Sequence, residues 1–281
     1  MSGPSAAVGG NRWLAAYVGA YLIFLYLPIV LIPLFSFNDS IQAAFPLKGF
    51  TTEWYRSLLD NESLHRAVAT SLLVGFAAAF LATLTGVTIA FMEIVGGGRL
   101  AAAISVLSRL PILIPGVIVG IALLILVNLA GLGPSRSAIV LGHTLVALPT
   151  TVVIMRSRFA ALPRSLGEAA MDLGAHEWTV FRRVLLPLSY PAMASAFLLA
   201  FLTSFDEFIV AFFLAGTEPT LPIFIWSQLR FPKALPGVMA LASVILVVSI
   251  ALATGAELVR RRGQRGATPG STVPVGPILQ A

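Results

Sequence analysis

Residues 165–187 read SLGEAAMDLGAHEWTVFRRVLLP. The stretch is polar, helix-prone and set between two long apolar runs, 138–155 and 188–215. Ser165 followed by Glu168 fits a capping box, in which the serine closes the first turn and the glutamate three residues on reaches back. Pro163 stands just ahead. The spacing predicts a short helix from Leu166 through Ala169, Ala170 and Leu173. Gly174 stops it, because glycine takes the left-handed conformation at no steric cost. A second turn or two runs from His176 to Arg183, and Pro187 ends the loop and opens the next helix. The loop is therefore compact. It carries a small face at Ala169 and Ala170, an acidic pair four apart at Glu168 and Asp172, and apolar anchors that fit a groove.

Working outward, the flanking runs belong to a larger pattern. A hydrocarbon core of ~30 Å takes about 20 apolar residues as helix. Six runs meet that length: 13–35, 67–91, 100–129, 138–155, 188–215 and 236–258. The first exceeds the ~7–15 residues of a signal-peptide core and is read as a retained helix. Pro28, Pro33, Pro111 and Pro115 are expected to kink their helices rather than end them. The fold class that follows is all-α, a polytopic membrane protein with about six transmembrane helices.

Composition agrees. Charged residues make up 11% of the 281, against roughly 25% in soluble domains. The mean hydropathy is +0.93. So few charges cannot cover a globular surface, and lipid must solvate much of the chain. Cysteine is absent, which removes disulfides, thiolate metal sites and a cysteine nucleophile. The net charge of +6 does not point to nucleic acid, since no basic segment is interleaved with aromatics as single-strand binding needs. Basic residues instead sort by loop. With the N-terminus inside, Lys48, Arg56, Arg66, Arg136, Arg230 and Lys233 fall outside. The other twelve of the 18 Lys and Arg fall inside. Both termini are then cytoplasmic.

The chain reads as a cytoplasmic segment 1–12, a transmembrane domain 13–262 containing the loop 156–187, and a disordered cytoplasmic tail 263–281 rich in Gly, Pro, Ser and Thr. In the outer loop 36–66, Trp54, Leu58 and Leu59 share a helical face beside Tyr55. Thr52 stands at the capping position, and an interfacial amphipathic helix is expected.

Four residues are candidates for a translocation path: Asp206, Glu207, His143 and Trp226. A carboxylate near the bilayer centre costs about 2.5–3.5 kcal/mol, so one that persists has a partner or a task. Asp206 and Glu207 either line a cationic path or anchor structure, paired with Arg230, Lys233 or His143. His143 is either an interhelical donor or a substrate contact, and Trp226 either an aromatic-belt residue or a stacking surface. Three scattered histidines have no metal-ligand spacing, so no metal site is expected. A membrane enzyme is thereby disfavoured. An ion-coupled secondary transporter, using the carboxylates without ATP, stays open.

The loop also carries a resemblance. Glu168-Ala169-Ala170, three residues, Gly174, nine residues, then Val184-Leu185-Leu186-Pro187 resembles the signature of binding-protein-dependent ABC transporter permeases. That signature is Glu-Ala-Ala, three residues, Gly, nine residues, Ile-x-Leu-Pro, and the departure is Val184 for Ile. The resemblance runs from about residue 17 to residue 261. Ser36-Phe37-Asn38, Gly49-Phe50-Thr51 with Trp54-Tyr55, Ser71-Leu72 and Phe205-Asp206-Glu207-Phe208 look like the polyamine (spermidine and putrescine) branch, in particular its smaller second permease. What the resemblance implies is a type I importer permease in the bacterial inner membrane. Glu168, Ala169, Ala170, Gly174, Leu186 and Pro187 would form the ATPase-coupling motif. Its partners would be ATP-binding cassette ATPase subunits, a second permease subunit (a heterodimer before a homodimer) and an extracytoplasmic solute-binding protein. The chain has no Gly-x4-Gly-Lys-Ser/Thr loop. It is thus expected to be no enzyme and to bind no cofactor, with ATP and Mg on the partner ATPase. The solute would be a polyamine, with ferric iron or an amino acid as alternatives.

Overall fold

The structure, a computed structural model, describes residues 12–96 and 98–266. In chain order its helices are α1 (Arg12–Ser36), α2 (Glu53–Leu59), α3 (Glu62–Phe91), α4 (Gly98–Leu107), α5 (Gly116–Leu129), α6 (Arg136–Ala161), α7 (Arg164–Asp172), α8 (Glu177–Val180), α9 (Leu186–Asp206), α10 (Ile209–Leu214), α11 (Leu221–Gln228) and α12 (Leu235–Gly266). A lone antiparallel bridge joins Asn38 and Phe50. The segment 1–12 and the tail 263–281 lie mostly outside the described residues; α12 continues to Gly266.

Among the described residues, five helical stretches are long and apolar enough to cross a membrane: Arg12–Ser36, Glu62–Ile94, Arg136–Ala161, Glu177–Asp206 and Pro232–Ala251. The pair α4 and α5 is apolar enough to make a sixth crossing only if taken together as one broken span, and the two are bent by 114°. The run 100–129, expected to be one kinked helix, is therefore broken. Pro115 has no N–H, and the residue before a proline is pushed out of the helical region. Ile114 accordingly sits extended at φ −95°, ψ 129°. Pro28 and Pro33 do stay inside α1. The run 188–215 is broken as well, at Asp206, which ends α9.

The chain forms two compact units, one of α1, α2 and α12, the other of α3 to α11. In the first, α12 packs against α1 and α2. The loop between α1 and α2 is built on Asn38, 1% exposed. Its Nδ2 donates to the Gln42 carbonyl at 3.2 Å, and its Oδ1 accepts from the Lys48 N–H at 2.9 Å. Trp54 Nε1 donates to the Asn38 carbonyl at 3.0 Å. The expected amphipathic helix is present as α2. Thr52 makes no side-chain cap there; Thr51 Oγ1 instead accepts from the Glu53 N–H.

The second unit is centred on α3, α6 and α9, which pack on one another. Half of the apolar window of α3 and of α6 is buried, against 6% for α1, so these two helices form the interior. Their contact surfaces are small: Ala79, Ala82, Ala147 and Ala200 are fully buried. Small residues let helices approach closely in a bilayer, where dispersion and interhelical hydrogen bonds do the holding. At the tightest point a Cβ on Gly86 would stand 2.4 Å from Thr151 Oγ1. Thr151 Oγ1 donates to the Ala82 carbonyl across the gap at 2.8 Å.

Candidate functional site

The second unit has two chemically different ends. Helix α6 runs toward the 162–185 loop and α9 runs away from it. The 21 residues of α9 separate the ends by about 30 Å.

At the loop end, α7 has no buried residue. Leu166, Met171 and Leu173 stand exposed on it, Leu173 at 89%. Its stop is as expected. Gly174 takes φ +86°, its N–H donates to the Met171 carbonyl at 2.8 Å, and the Ala175 N–H donates to the Ala170 carbonyl at 3.0 Å. This pair of bonds is a Schellman motif. The start differs from expectation. Pro163 is the N-cap, with extended backbone, and no side chain caps the helix. Helix α7 begins two residues earlier than the capping box requires, so Ser165 falls within the first turn.

Behind α7 lies an aromatic bearing. Phe91 and Phe181 have ring centroids 4.2 Å apart, and Trp178 and Phe159 flank Phe181 at 5.3 and 6.4 Å. A cavity of about 350 Å³ between this cluster and α7 is lined by Phe91, Phe159, Gly167, Glu168 and Met171. Leu186 packs on the same cluster. Pro187 sits in the first turn of α9, just after a π-helical turn over Phe181–Leu185. Glu168, Ala169, Ala170 and Gly174 thus share one exposed projection, while Leu186 and Pro187 tie its base to α9. Beside it, Glu93 accepts from Arg156 Nε at 2.8 Å and pairs with Arg109 at 3.3 Å and with Ser105. This cluster joins the turn after α3 to the turn after α4 and to α6. The sequence reading missed it because its members are 12 to 63 residues apart.

At the far end, the chain leaves α9 at Asp206. Glu207 is extended, at φ −73° and ψ 111°. Its Oε1 accepts from the Val210 N–H at 3.0 Å and so starts α10. A side chain that takes a backbone donor competes with helix continuation. The two carboxylates therefore stand at a helix break, not on a continuous helix as expected, and Asp206 is exposed. His143 is 1% exposed. Its Nδ1 shares a hydrogen bond of 2.7 Å with Ser204 Oγ, while Nε2 has no partner among the described residues. Trp226, on α11, is met by Phe212 edge-on at 5.2 Å and by Phe208 at 5.8 Å. The Arg230 guanidinium lies over the indole, 3.8 Å from its centroid.

Arg230 therefore does not pair with Asp206 or Glu207, and no salt bridge engages either carboxylate among the described residues. Asp206 and Glu207 precede Phe208 in the chain, and the structure packs Phe208 onto Trp226. It places His143 one turn deeper, on Ser204. Phe208 and Phe212 were missed, although their i, i+4 spacing is a readable sign of one shared face. Ser204 carried no signal. Chemically, an aromatic face such as that of Trp226 suits an organic cation. Among the described residues no three His, Asp or Glu side chains converge as a metal site.

The family described as the binding-protein-dependent transport system inner membrane component matches residues 82–264. The chain belongs to this family. It is the permease subunit of an ATP-binding cassette importer. The spermidine/putrescine transport system permease protein PotC of Escherichia coli (strain K12) is 33% identical over 260 residues, which covers 92% of this permease and 98% of that one. The putrescine transport system permease protein PotI of the same strain is 36% identical over 232 residues, covering 79% and 82%. Among solved structures, a bacterial ABC transporter that imports the acidic polysaccharide alginate has a chain of the same fold. Its TM-score is 0.67 at 16% identity, covering 95% of this permease and 100% of that chain. The family match includes α7 and the whole 162–185 loop.

Proposed function

We propose that this permease imports polyamines, linear cations of the spermidine and putrescine type, using ATP hydrolysed on separate subunits. The observation that carries the reading is the near full-length similarity to a spermidine/putrescine permease. The far end of the second unit supports it. Asp206 and Glu207, with the Trp226 face and His143 beneath, are suited to an ammonium-bearing chain. An anionic cargo would meet like charge there.

Helix α7 is the ATPase-docking element. A nine-residue helix with exposed Leu166, Met171 and Leu173 and no buried residue suits a groove on another protein. Its Schellman stop and aromatic bearing make it a rigid lever on α6 and α9. ATP and Mg belong to that partner, since this chain has no phosphate-binding loop. The excess of Arg in the sequence segments on the α7 side supports a cytoplasmic place for that loop and for both termini. A solute-binding protein then delivers cargo at the Asp206 end, and a second permease subunit completes the path.

The test is uptake of radiolabelled spermidine by cells that lack their own polyamine importers and express this chain with its ATPase, binding-protein and permease partners. Saturable accumulation, competed by putrescine and not by amino acids or ferric iron, is expected. Accumulation competed by ferric iron or an amino acid instead would overturn the polyamine assignment.

A further inference from the structure

The carboxylates and the aromatic cluster share the far end, yet the one basic side chain resting on the cluster ignores the carboxylates. Arg230 lies one helical turn after Trp226 and folds back over its ring, 3.8 Å from the centroid. Its guanidinium makes no ion pair among the described residues. An arginine retained to neutralise Asp206 or Glu207 would sit on them. It occupies an aromatic surface instead, one that Phe208 and Phe212 of a different segment also line. Ring faces carry negative potential, and a cation within about 6 Å of an indole centroid is held by it. The same surface would hold a substrate ammonium on the same terms.

We propose that the Trp226 face is an organic-cation subsite and that Arg230 is its tethered occupant, displaced when an ammonium-bearing substrate arrives. The proposal rests on the polyamine reading above and adds a specificity device to it. A monovalent cation must displace Arg230 for one contact. A polyamine can place one ammonium on the ring and another near Asp206, and so compensates for the displacement. The guanidinium also re-covers the ring after the substrate leaves, which limits how long any cation stays.

The test is equilibrium binding of radiolabelled spermidine to the complete transporter in lipid nanodiscs, without binding protein, alongside uptake by sealed proteoliposomes that carry the same transporter and are supplied with its binding protein. Arg230→Gln should tighten binding by about threefold to tenfold, the range of one cation–ring contact. Trp226→Leu should weaken it, and Trp226→Phe should keep most of it. The deciding variant is Arg230→Gln in the Trp226→Leu background. If Arg230 acts through the ring, it should have no further effect there, the non-additivity that marks two groups in contact. Unchanged or weaker binding in Arg230→Gln would overturn the proposal. So would an equal shift in both backgrounds, since Arg230 would then act by net charge or as a packing strut. If the wild-type complex neither binds nor takes up spermidine, the polyamine reading fails and this inference falls with it. Normal wild-type uptake with a silent Arg230→Gln sinks this inference alone.

Discussion

The two ends of the α3–α11 unit are built on opposite plans. At the loop end, 23 residues (165–187) carry their own instructions. Gly174 stops α7, Pro187 opens α9, and Glu168, Ala169 and Asp172 of α7 are exposed. At the far end, the local signals are few and the contacts that assemble it are long-range. Phe208 meets Trp226 from 18 residues away (226 − 208), and His143 meets Ser204 across 61. An element that docks on a separate rigid protein must hold one shape by itself. A surface that releases its cargo can be assembled loosely from several segments, with broken helices that leave polar backbone beside a cavity.

The largest effect expected from this contrast is at Glu168. Glu168→Arg reverses the charge on the projecting face of α7 and should cut uptake by more than about 100-fold, since like-charge contacts at an interface cost several kcal/mol. Membrane abundance, read by immunoblot, should stay normal. Uptake near wild type in this variant would remove α7 from the coupling role.

Next comes the rod that joins the ends. Gly86→Ala puts a Cβ 2.4 Å from Thr151 Oγ1, which is already held by the Ala82 carbonyl. Overpacking of this kind costs about 2 kcal/mol. The purified protein should melt at lower temperature, and a wild-type melt would show that α3 and α6 can move apart freely.

At the far end, Asp206→Asn keeps the shape and removes one charge. Spermidine uptake should fall about tenfold, the loss of a little over 1.4 kcal/mol of attraction, with abundance and ATPase assembly intact. Normal uptake would make the carboxylate structural.

The smallest effect belongs to Ser165. Because α7 starts at Arg164 and Ser165 caps nothing, Ser165→Ala should change stability by less than about 0.5 kcal/mol. A melt lowered by a full cap's contribution, about 1 kcal/mol, would restore the capping box.

Legibility in the sequence follows the same division. The apolar runs and the Glu168 to Pro187 spacing carried the fold class and the family, because length and periodicity are local. The start of α7 was misplaced by two residues, since Pro163 with its fixed φ outcompeted a serine cap. The breaks inside 100–129 and 188–215 were invisible to hydropathy, which averages over a window and registers no interruption in an apolar run. What sets them is stereochemical: Pro115 forces Ile114 out of the helix, and the Glu207 carboxylate takes the Val210 N–H. The Glu93, Arg109 and Arg156 cluster and the packing of Phe208 and Phe212 on Trp226 depend on tertiary contact between distant segments; the i, i+4 spacing of the two phenylalanines reports only that they share a face.

The central claim is that coupling and cargo recognition reside at separate ends of one unit. Spermidine binding and ATP hydrolysis should be measured side by side on the reconstituted transporter carrying Glu168→Arg or Asp206→Asn. The account predicts that Glu168→Arg binds spermidine like wild type but loses stimulated ATP hydrolysis. Asp206→Asn should bind spermidine about tenfold more weakly and keep its basal hydrolysis. If Glu168→Arg weakens spermidine binding as much as Asp206→Asn does, or Asp206→Asn abolishes basal hydrolysis, the two ends are not separate and the account is wrong.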